Sequence, residues 1–141
     1  MAITDPMPFT YSRTVHFADT DAAGVVFFAN FLAICHEAYE ESLSASGIDL
    51  KTFFSEKEVV VPIAKCEAEY LRPVSCGDKL EVSVKSKGLT EDSYEVSYEV
   101  TRRGPQSKRA ARVRTEHVCI DSKTRARRAL PGPLADWVRS G

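Results

Sequence analysis

The residue types best suited to chemistry in this sequence lie in one short loop before a long apolar run. The loop reads Asp19-Thr20-Asp21-Ala22-Ala23-Gly24, and the apolar run begins at Val25. A carboxylate can attack a carbonyl group or activate a water molecule for attack. The free N–H groups at the start of a helix can stabilise the oxyanion that forms. The spacing therefore predicts a nucleophile or general base beside an oxyanion site.

A simpler interpretation of this loop is that one aspartate only caps the helix, because Asp is a favoured N-cap residue. Capping needs one carboxylate and no aromatic surface. This segment has two carboxylates and three aromatic residues nearby, Phe27, Phe28 and Phe31. Both interpretations remain open from the spacing alone.

The composition is that of an ordinary globular protein. The chain has 141 residues, of which 43% are hydrophobic and 28% charged, so we expect a single domain over residues 1–141 with short tails. The N-terminus has no basic segment followed by an apolar one, and no apolar run approaches about 20 residues. These features predict a cytoplasmic protein that does not contact a membrane. The cysteines are scattered, which argues against a zinc site and against disulfides, and we expect no metal.

The net charge of −1 hides a basic region near the C-terminus. Residues 102–128 contain ten Lys and Arg residues but only two acidic ones, Glu116 and Asp121. A basic end on a nearly neutral protein favours a small phosphate-bearing molecule over a long polyanion. No aromatic residues interleave with the basic ones, so nucleic acid is not an expected partner.

The periodicity predicts one strand, one long helix and then four strands. We expect a strand from Phe9 to Phe17, a helix from Val26 to Ser46, a loop or short helix over residues 48–58, strands over residues 59–74, 80–85, 94–100 and 109–121, and a tail that docks Trp137. The first half of the helix is apolar almost all round, which indicates a helix surrounded by protein. This order predicts an α+β fold in which a curved antiparallel sheet wraps around one central helix. Subunit pairing would cover the exposed edge of such a sheet, so we expect a homodimer or homotetramer.

From Tyr11 to about Asp121 the sequence resembles the hotdog-fold acyl-CoA thioesterases of the 4-hydroxybenzoyl-CoA thioesterase type. Within that family it is most similar to the 1,4-dihydroxy-2-naphthoyl-CoA hydrolases of cyanobacterial phylloquinone synthesis. The segments that carry the resemblance are Ala18-Asp19-Thr20-Asp21, Gly24-Val25-Val26, Cys35-His36-Glu37-Ala38-Tyr39-Glu40, Cys76-Gly77-Asp78 and His117-Val118-Cys119-Ile120. The resemblance implies hydrolysis of an acyl-CoA thioester without a cofactor, coenzyme A being part of the substrate.

The resemblance also implies roles for individual residues. The catalytic carboxylate falls on Asp21 and the oxyanion donor on the backbone N–H near Phe28, while Gly24 allows the turn and is a second N–H donor. We expect Asp19 to hold the loop through hydrogen bonds. The residues expected to bind the acyl group are Phe27, Asn30, Phe31 and His36 and, from across a subunit boundary, Val61, Pro62 and Ile63. The residues expected at the phosphates of coenzyme A are Arg102, Arg103, Lys108 and Arg109.

One departure from the family pattern bears on the substrate. Short-chain members of the superfamily carry a histidine where this sequence has Phe28, and an aromatic ring in its place favours an aryl-CoA. The alternative substrates are 4-hydroxybenzoyl-CoA or a broad range of acyl-CoA thioesters. The alternative functions are a hotdog dehydratase or a non-catalytic acyl-CoA sensor. His36 either contacts the acyl group or pairs with Glu40 one turn later. His117 shares a strand face with Thr115 and Cys119, which predicts a packed structural histidine.

Overall fold

A computed structural model describes residues 8–55 and 57–141. The strands are β1 (Phe9–Thr14), β2 (Val59–Val60), β3 (Ile63–Tyr70), β4 (Lys79–Thr90), β5 (Ser93–Arg102), β6 (Lys108–Val118) and β7 (Ile120–Asp121). The helices are α1 (Phe28–Ala45), α2 (Leu50–Phe54) and α3 (Gly132–Ser140), with a 3₁₀ turn at Phe17–Asp19.

Five strands form one antiparallel sheet in the order β1-β4-β5-β6-β3. Two of the predicted strands are each divided in two. Pro62, which lacks an N–H, separates β2 from β3, and its carbonyl accepts the N–H of Val118 at 3.1 Å. At Cys119 the backbone N–H donates to Asp92 at 2.7 Å, and the chain then leaves the sheet to pair β7 with β2. Strand β3 remains at one edge of the main sheet.

Helix α1 packs across the sheet with one face only. Its buried residues recur at helical spacing and are Phe31, Ile34, Cys35, Ala38, Tyr39, Ser42 and Leu43. They meet the inward residues of the central strands, such as Val82, Val96 and Val113. The prediction of a helix surrounded by protein is wrong for the single chain, because Phe28 and Ala33 are exposed. An apolar part of α1 is therefore left uncovered.

The C-terminal tail docks as predicted and forms a complete helix. In α3, Trp137 is buried, and its indole N–H donates to Ser42 of α1 at 3.0 Å. The hydroxyl of Ser86 in β4 donates to the carbonyl of Val138 at 3.0 Å. All four cysteines are free thiols; Cys35 and Cys119 are buried, and Cys66 and Cys76 are exposed.

His117 is the packed structural histidine that its strand position predicted. Its side chain is only 1% exposed and its ring stacks on Tyr94, with ring centroids 4.7 Å apart. The Nε2 atom lies 2.8 Å from the hydroxyl of Thr115. Burial lowers the pKa of His117 to about 4.

We expect the free energy of unfolding to rise with pH between about 4 and 6.5 because of His117. The unfolded chain binds a proton on this imidazole below about pH 6.5, whereas the folded protein excludes the proton down to about pH 4. The contribution is about 3 kcal/mol across this window. Urea unfolding at a series of pH values should show it in the parent protein and lose it in His117→Gln. In the control His16→Gln, which changes an exposed ring, the pH dependence should persist; an unchanged slope in His117→Gln would contradict the assignment.

Candidate active site

The loop between β1 and α1 is held in shape by its own backbone. The Asp21 N–H donates to Val25 at 3.0 Å, and the Gly24 N–H donates to Asp21 at 3.0 Å. Gly24 adopts a φ of +82°, which an L side chain would strain, so a glycine is required there. Its N–H donates within the turn, and the expectation that it also donates to the substrate stays a prediction. Its role is to shape the loop.

Asp21 presents its carboxylate at the exposed tip of this loop. One carboxylate oxygen accepts the N–H of Ala23 at 2.8 Å, which orients the group. The residue is thus fixed through its backbone and one oxygen, yet its side chain remains exposed. This is the arrangement that a nucleophile or general base requires. The assignment of Asp21 as the catalytic carboxylate stays a prediction.

Asp19 holds the loop, and it does so in more ways than the sequence indicated. Its carboxylate receives two hydrogen bonds from the guanidinium of Arg13, at 2.7 and 3.1 Å, and one from the N–H of His16 at 2.7 Å. The hydrogen bond from Arg13 holds the pKa of Asp19 below its usual value. The backbone carbonyl of Asp19 accepts the Phe27 N–H at 3.0 Å and the Asn30 side-chain amide at 2.8 Å. The amide of Asn30 therefore ties α1 to the loop, and its place in the acyl pocket stays a prediction.

Helix α1 starts without a side-chain cap from any residue that the structure describes. Phe27 occupies the N-cap position in an extended conformation, and its carbonyl accepts the Asn30 N–H at 2.8 Å. Neither Asp19 nor Asp21 caps this helix, so the capping interpretation of the loop is wrong. The N–H groups at Phe28 and Ala29 therefore lie at the positive end of the helix dipole with no side-chain acceptor.

Aromatic side chains cluster at this helix start. Phe27 and Phe28 are 42% and 59% exposed, while Phe31 is buried beneath them. Tyr70, at the end of β3, packs against Phe31 with ring centroids 5.5 Å apart and against Phe28 at 6.2 Å. Its hydroxyl donates to the Phe28 carbonyl at 3.0 Å. Tyr70 was not among the predicted site residues; its signal in the sequence is an aromatic residue shortly before Pro73.

The other expected acyl-binding residues lie elsewhere in the single chain. The Nδ1 of His36 is 2.8 Å from a carboxylate oxygen of Glu40, the alternative that the sequence left open. Val61 lines a mostly apolar cavity of about 260 Å³ between α2, β2 and the start of α3. Ile63 and Tyr70 are the two ends of the eight-residue strand β3, so they are about 23 Å apart. The segment Val61–Ile63 therefore lies at the far end of β3 from Tyr70 and the aromatic cluster at the start of α1.

The basic region divides between two ends of the sheet. Arg102 donates to the carbonyl of Pro73 at 3.4 Å, and the neighbouring Val74 carbonyl accepts the N–H of Val26, in the loop before α1, at 2.9 Å. The tip between β5 and β6 thus lies at the same end as Asp21. Arg127, in contrast, pairs with Asp92 at the other end of β5.

The four residues expected at the coenzyme A phosphates all belong to the β5–β6 tip. Two of them already have acidic neighbours: Arg103 lies 3.5 Å from Glu81, and Arg109 lies 2.9 Å from Glu99. The Nε of Arg109 is buried and has no hydrogen-bond partner among the described residues. Arg72, which the sequence analysis missed, donates to the Arg109 carbonyl at 2.8 Å and adds a guanidinium to this end.

Within residues 8–55 and 57–141, no helix is long and apolar enough to cross a membrane. The same part of the chain has no group of three or more His, Cys, Asp or Glu side chains arranged to hold a metal ion.

The sequence is similar to a known protein family and to individual proteins in it. A model of the thioesterase-like superfamily matches residues 15–138. The chain is 48% identical over 134 residues to the 1,4-dihydroxy-2-naphthoyl-CoA hydrolase of Nostoc punctiforme, which covers 95% of this chain and 88% of that protein. It is 45% identical over 131 residues to the hydrolase of the same name from Crocosphaera subtropica, over 93% of this chain and 96% of that protein.

A solved structure matches the fold as well. The crystal structure of a 1,4-dihydroxy-2-naphthoyl-CoA thioesterase from Synechocystis superimposes with a TM-score of 0.88 at 35% identity, covering 93% of this chain and 95% of that chain. This likeness confirms the predicted α+β hotdog architecture, with an antiparallel sheet packed against one long helix.

Proposed function

The chain belongs to the thioesterase-like superfamily, and from that membership we propose that it hydrolyses 1,4-dihydroxy-2-naphthoyl-CoA. The products are 1,4-dihydroxy-2-naphthoate and coenzyme A, in phylloquinone or menaquinone biosynthesis. The observation that carries the proposal is an exposed, oriented carboxylate, Asp21, beside an uncapped helix start. The proposal includes a cytoplasmic location and no cofactor, as the sequence analysis predicted.

In the proposed reaction the thioester carbonyl oxygen lies against the N–H of Phe28. As negative charge develops on that oxygen, the N–H groups and the helix dipole stabilise it without reorganisation. Asp21 either attacks the carbonyl carbon or removes a proton from an attacking water. In the first route the C–S bond breaks, coenzyme A leaves as its thiolate, and water hydrolyses the mixed anhydride. In the second route water adds to the carbonyl carbon while Asp21 takes its proton, the C–S bond of the tetrahedral intermediate breaks, and Asp21 gives the proton to the departing coenzyme A thiolate.

The aromatic cluster supports an aryl acyl group. Phe27, Phe28 and Tyr70 offer partly exposed ring faces next to the oxyanion site. A flat naphthoyl group can stack on such rings and bury apolar area, which a two-carbon acyl group cannot. 4-Hydroxybenzoyl-CoA, or a broad acyl-CoA range, remains the second candidate because a single aromatic ring would use the same surface.

A second copy of the chain completes the site in this proposal. Seven of the eight residues of the edge strand β3 are exposed, and α1 leaves an apolar part uncovered. Segment Val61–Ile63 lies at the end of β3 away from Tyr70, which packs against Phe28 at the start of α1, and this supports its use by a partner. We therefore propose a homodimer, paired into a tetramer. Sedimentation should find no active monomer, and activity should fall on dilution below the dimer dissociation constant.

The proposal is tested by following free thiol release and the free acid together. Incubation with 1,4-dihydroxy-2-naphthoyl-CoA should yield one equivalent of each. Binding without thiol release would indicate a sensor, and loss of water from a hydroxyacyl-CoA with the thioester intact would indicate a dehydratase. Either result would overturn the proposal.

We expect that replacing Arg102 and Lys108 of the β5–β6 tip with neutral residues raises KM for the coenzyme A thioester and leaves kcat unchanged. Arg102 and Lys108 would contact a remote, non-reacting part of the substrate, so their loss weakens substrate and transition state equally. Each partly exposed contact should change KM by about two- to fivefold. The KM of the parent enzyme should also rise with salt, because exposed charges are screened over about 8–10 Å.

Two controls make this measurement specific. Arg127→Gln removes an exposed cation at the opposite end of the sheet and should leave KM unchanged. A pantetheine thioester lacks the nucleotide, so it should respond neither to the tip substitutions nor to salt. Equal responses of the two substrates would mean that the nucleotide binds elsewhere.

A further inference from the structure

We propose that Arg13 is a positioning residue that fixes the catalytic loop against α1. This inference rests on the proposed function, because it concerns the placement of Asp21 relative to the oxyanion site. Arg13 lies in β1 and was not among the candidate site residues. Its side chain is only 11% exposed, which is unusual for an arginine.

All three guanidinium nitrogens of Arg13 are engaged. Nη1 and Nη2 donate to the two carboxylate oxygens of Asp19 at 2.7 and 3.1 Å, and Nε donates to Glu37 at 2.8 Å. The Nη1 also donates to the carbonyl of Thr14 at 3.3 Å. The Tyr11 hydroxyl donates to the same Glu37 oxygen at 2.9 Å. The planar fork of an arginine fits this pair of carboxylates, and a lysine ammonium cannot reproduce it.

Asp19 transmits this anchoring to the helix start. Its backbone carbonyl accepts the Phe27 N–H and the Asn30 amide, which flank the first residue of α1. Glu37 lies further along the same helix. Arg13 therefore links the body of α1 to the loop, and the loop links back to the beginning of α1. The contacts form a closed ring.

Asp21 lies two residues from Asp19, and Phe28 lies between the two helix residues that Asp19 holds. The carboxylate of Asp21 and the N–H of Phe28 are thus both positioned through Asp19. A displacement of about 1 Å at a catalytic group can lower the rate about a hundredfold. Loss of Arg13 should therefore reduce the rate of the chemical step more than it reduces substrate binding.

The matched control is Arg114, which also bridges two carboxylates. It contacts Glu67 at 2.7 Å and Glu95 at 2.8 Å on the outer face of the sheet, away from the loop. Arg13→Lys and Arg13→Gln should lower kcat by at least about tenfold with KM within about threefold. Arg114→Gln should leave both constants within about twofold of the parent. All assays are run well below each variant's melting temperature.

A double-mutant cycle separates positioning from simple destabilisation. If Arg13 acts through Asp19, Arg13→Gln should lower kcat by less than about twofold in an Asp19→Asn background. If the two substitutions lowered kcat independently, so that their fold-losses multiplied in the double mutant, the proposal would be overturned. If Arg13→Gln does not fold, Glu37→Gln replaces it, since this change loosens the helix anchor and keeps the Arg13–Asp19 pair. Unchanged kcat in both Arg13→Lys and Glu37→Gln would also overturn it.

The same series distinguishes this inference from the proposed function. Full activity of Asp21→Asn would show that the proposed mechanism itself is wrong. Loss of activity in Asp21→Asn with normal kcat in the Arg13 variants would leave the mechanism standing and remove only the positioning role.

Discussion

Asp21→Asn is expected to give a folded protein whose kcat with 1,4-dihydroxy-2-naphthoyl-CoA is at least about a hundredfold lower than that of the parent. An amide is a poor nucleophile and cannot accept a proton from water near neutral pH. It keeps the carbonyl oxygen that receives the Ala23 N–H, so the turn should persist. Steady-state thiol release at saturating substrate measures the effect, and circular dichroism checks the fold.

Asp19→Asn is the matched comparison for that result. It weakens the ion pair with Arg13 and should lower both stability and kcat, whereas Asp21→Asn should lower kcat alone, since the Asp21 side chain is exposed. A larger loss of kcat in Asp19→Asn than in Asp21→Asn would mean that Asp19 is the catalytic carboxylate. Retained activity in Asp21→Asn would show that the proposed mechanism is wrong.

The kcat/KM for 1,4-dihydroxy-2-naphthoyl-CoA should exceed that for acetyl- or butyryl-CoA by about a hundredfold or more. The reason is burial and stacking of two fused rings on Phe27, Phe28 and Tyr70, which a short aliphatic group cannot match. The measurement is thiol release with each substrate under identical conditions, with 4-hydroxybenzoyl-CoA as an intermediate case. Comparable values would favour a broad acyl-CoA thioesterase.

A substitution within the cluster provides the control for substrate preference. Phe28→Leu keeps the backbone N–H of the oxyanion site but removes an aromatic face. It should lower kcat/KM for the naphthoyl substrate and leave that for acetyl-CoA unchanged. An equal loss for both substrates would show that Phe28 affects catalysis generally and does not select the acyl group.

Local patterns predicted the elements of this fold well, because each depends on short-range periodicity. The alternation around Tyr94–Val100 predicted β5, and Gly47 marked the end of α1 correctly. The start of α1 was predicted two residues early, at Val26. That residue instead donates its N–H to Val74, which is distant in sequence, and forms a bridge with Thr20 of the same loop. Such contacts override helical preference and leave no local pattern.

In the candidate site too, the features that depend on local sequence were predictable and those that depend on long-range contacts were not. The loop motif identified the two carboxylates, and the family resemblance separated their roles. The side chains that support the loop and the helix start were not predictable from spacing. Nothing in the alternation of β1 indicates that Arg13 pairs with Asp19, and Tyr70 lies 42 residues from Phe28. The family resemblance assigned Asn30 to the pocket wall, and the structure shows that its amide hydrogen-bonds the loop. Polar side chains that brace a site and those that line it have the same residue types.

The uncapped start of α1 has a consequence for engineering this protein. A Ser or Asp at the position of Phe27 would ordinarily stabilise a helix by about 1 kcal/mol, and consensus or computational stabilisation schemes favour such changes. Here the new side-chain oxygen would accept the N–H of Ala29 or Asn30, directly beside the Phe28 N–H of the proposed oxyanion site, and an aspartate would add a negative charge there. The missing cap lowers the stability of the first turn of α1 but keeps the proposed oxyanion site open. Substitutions intended to raise thermal stability should therefore be made at other positions.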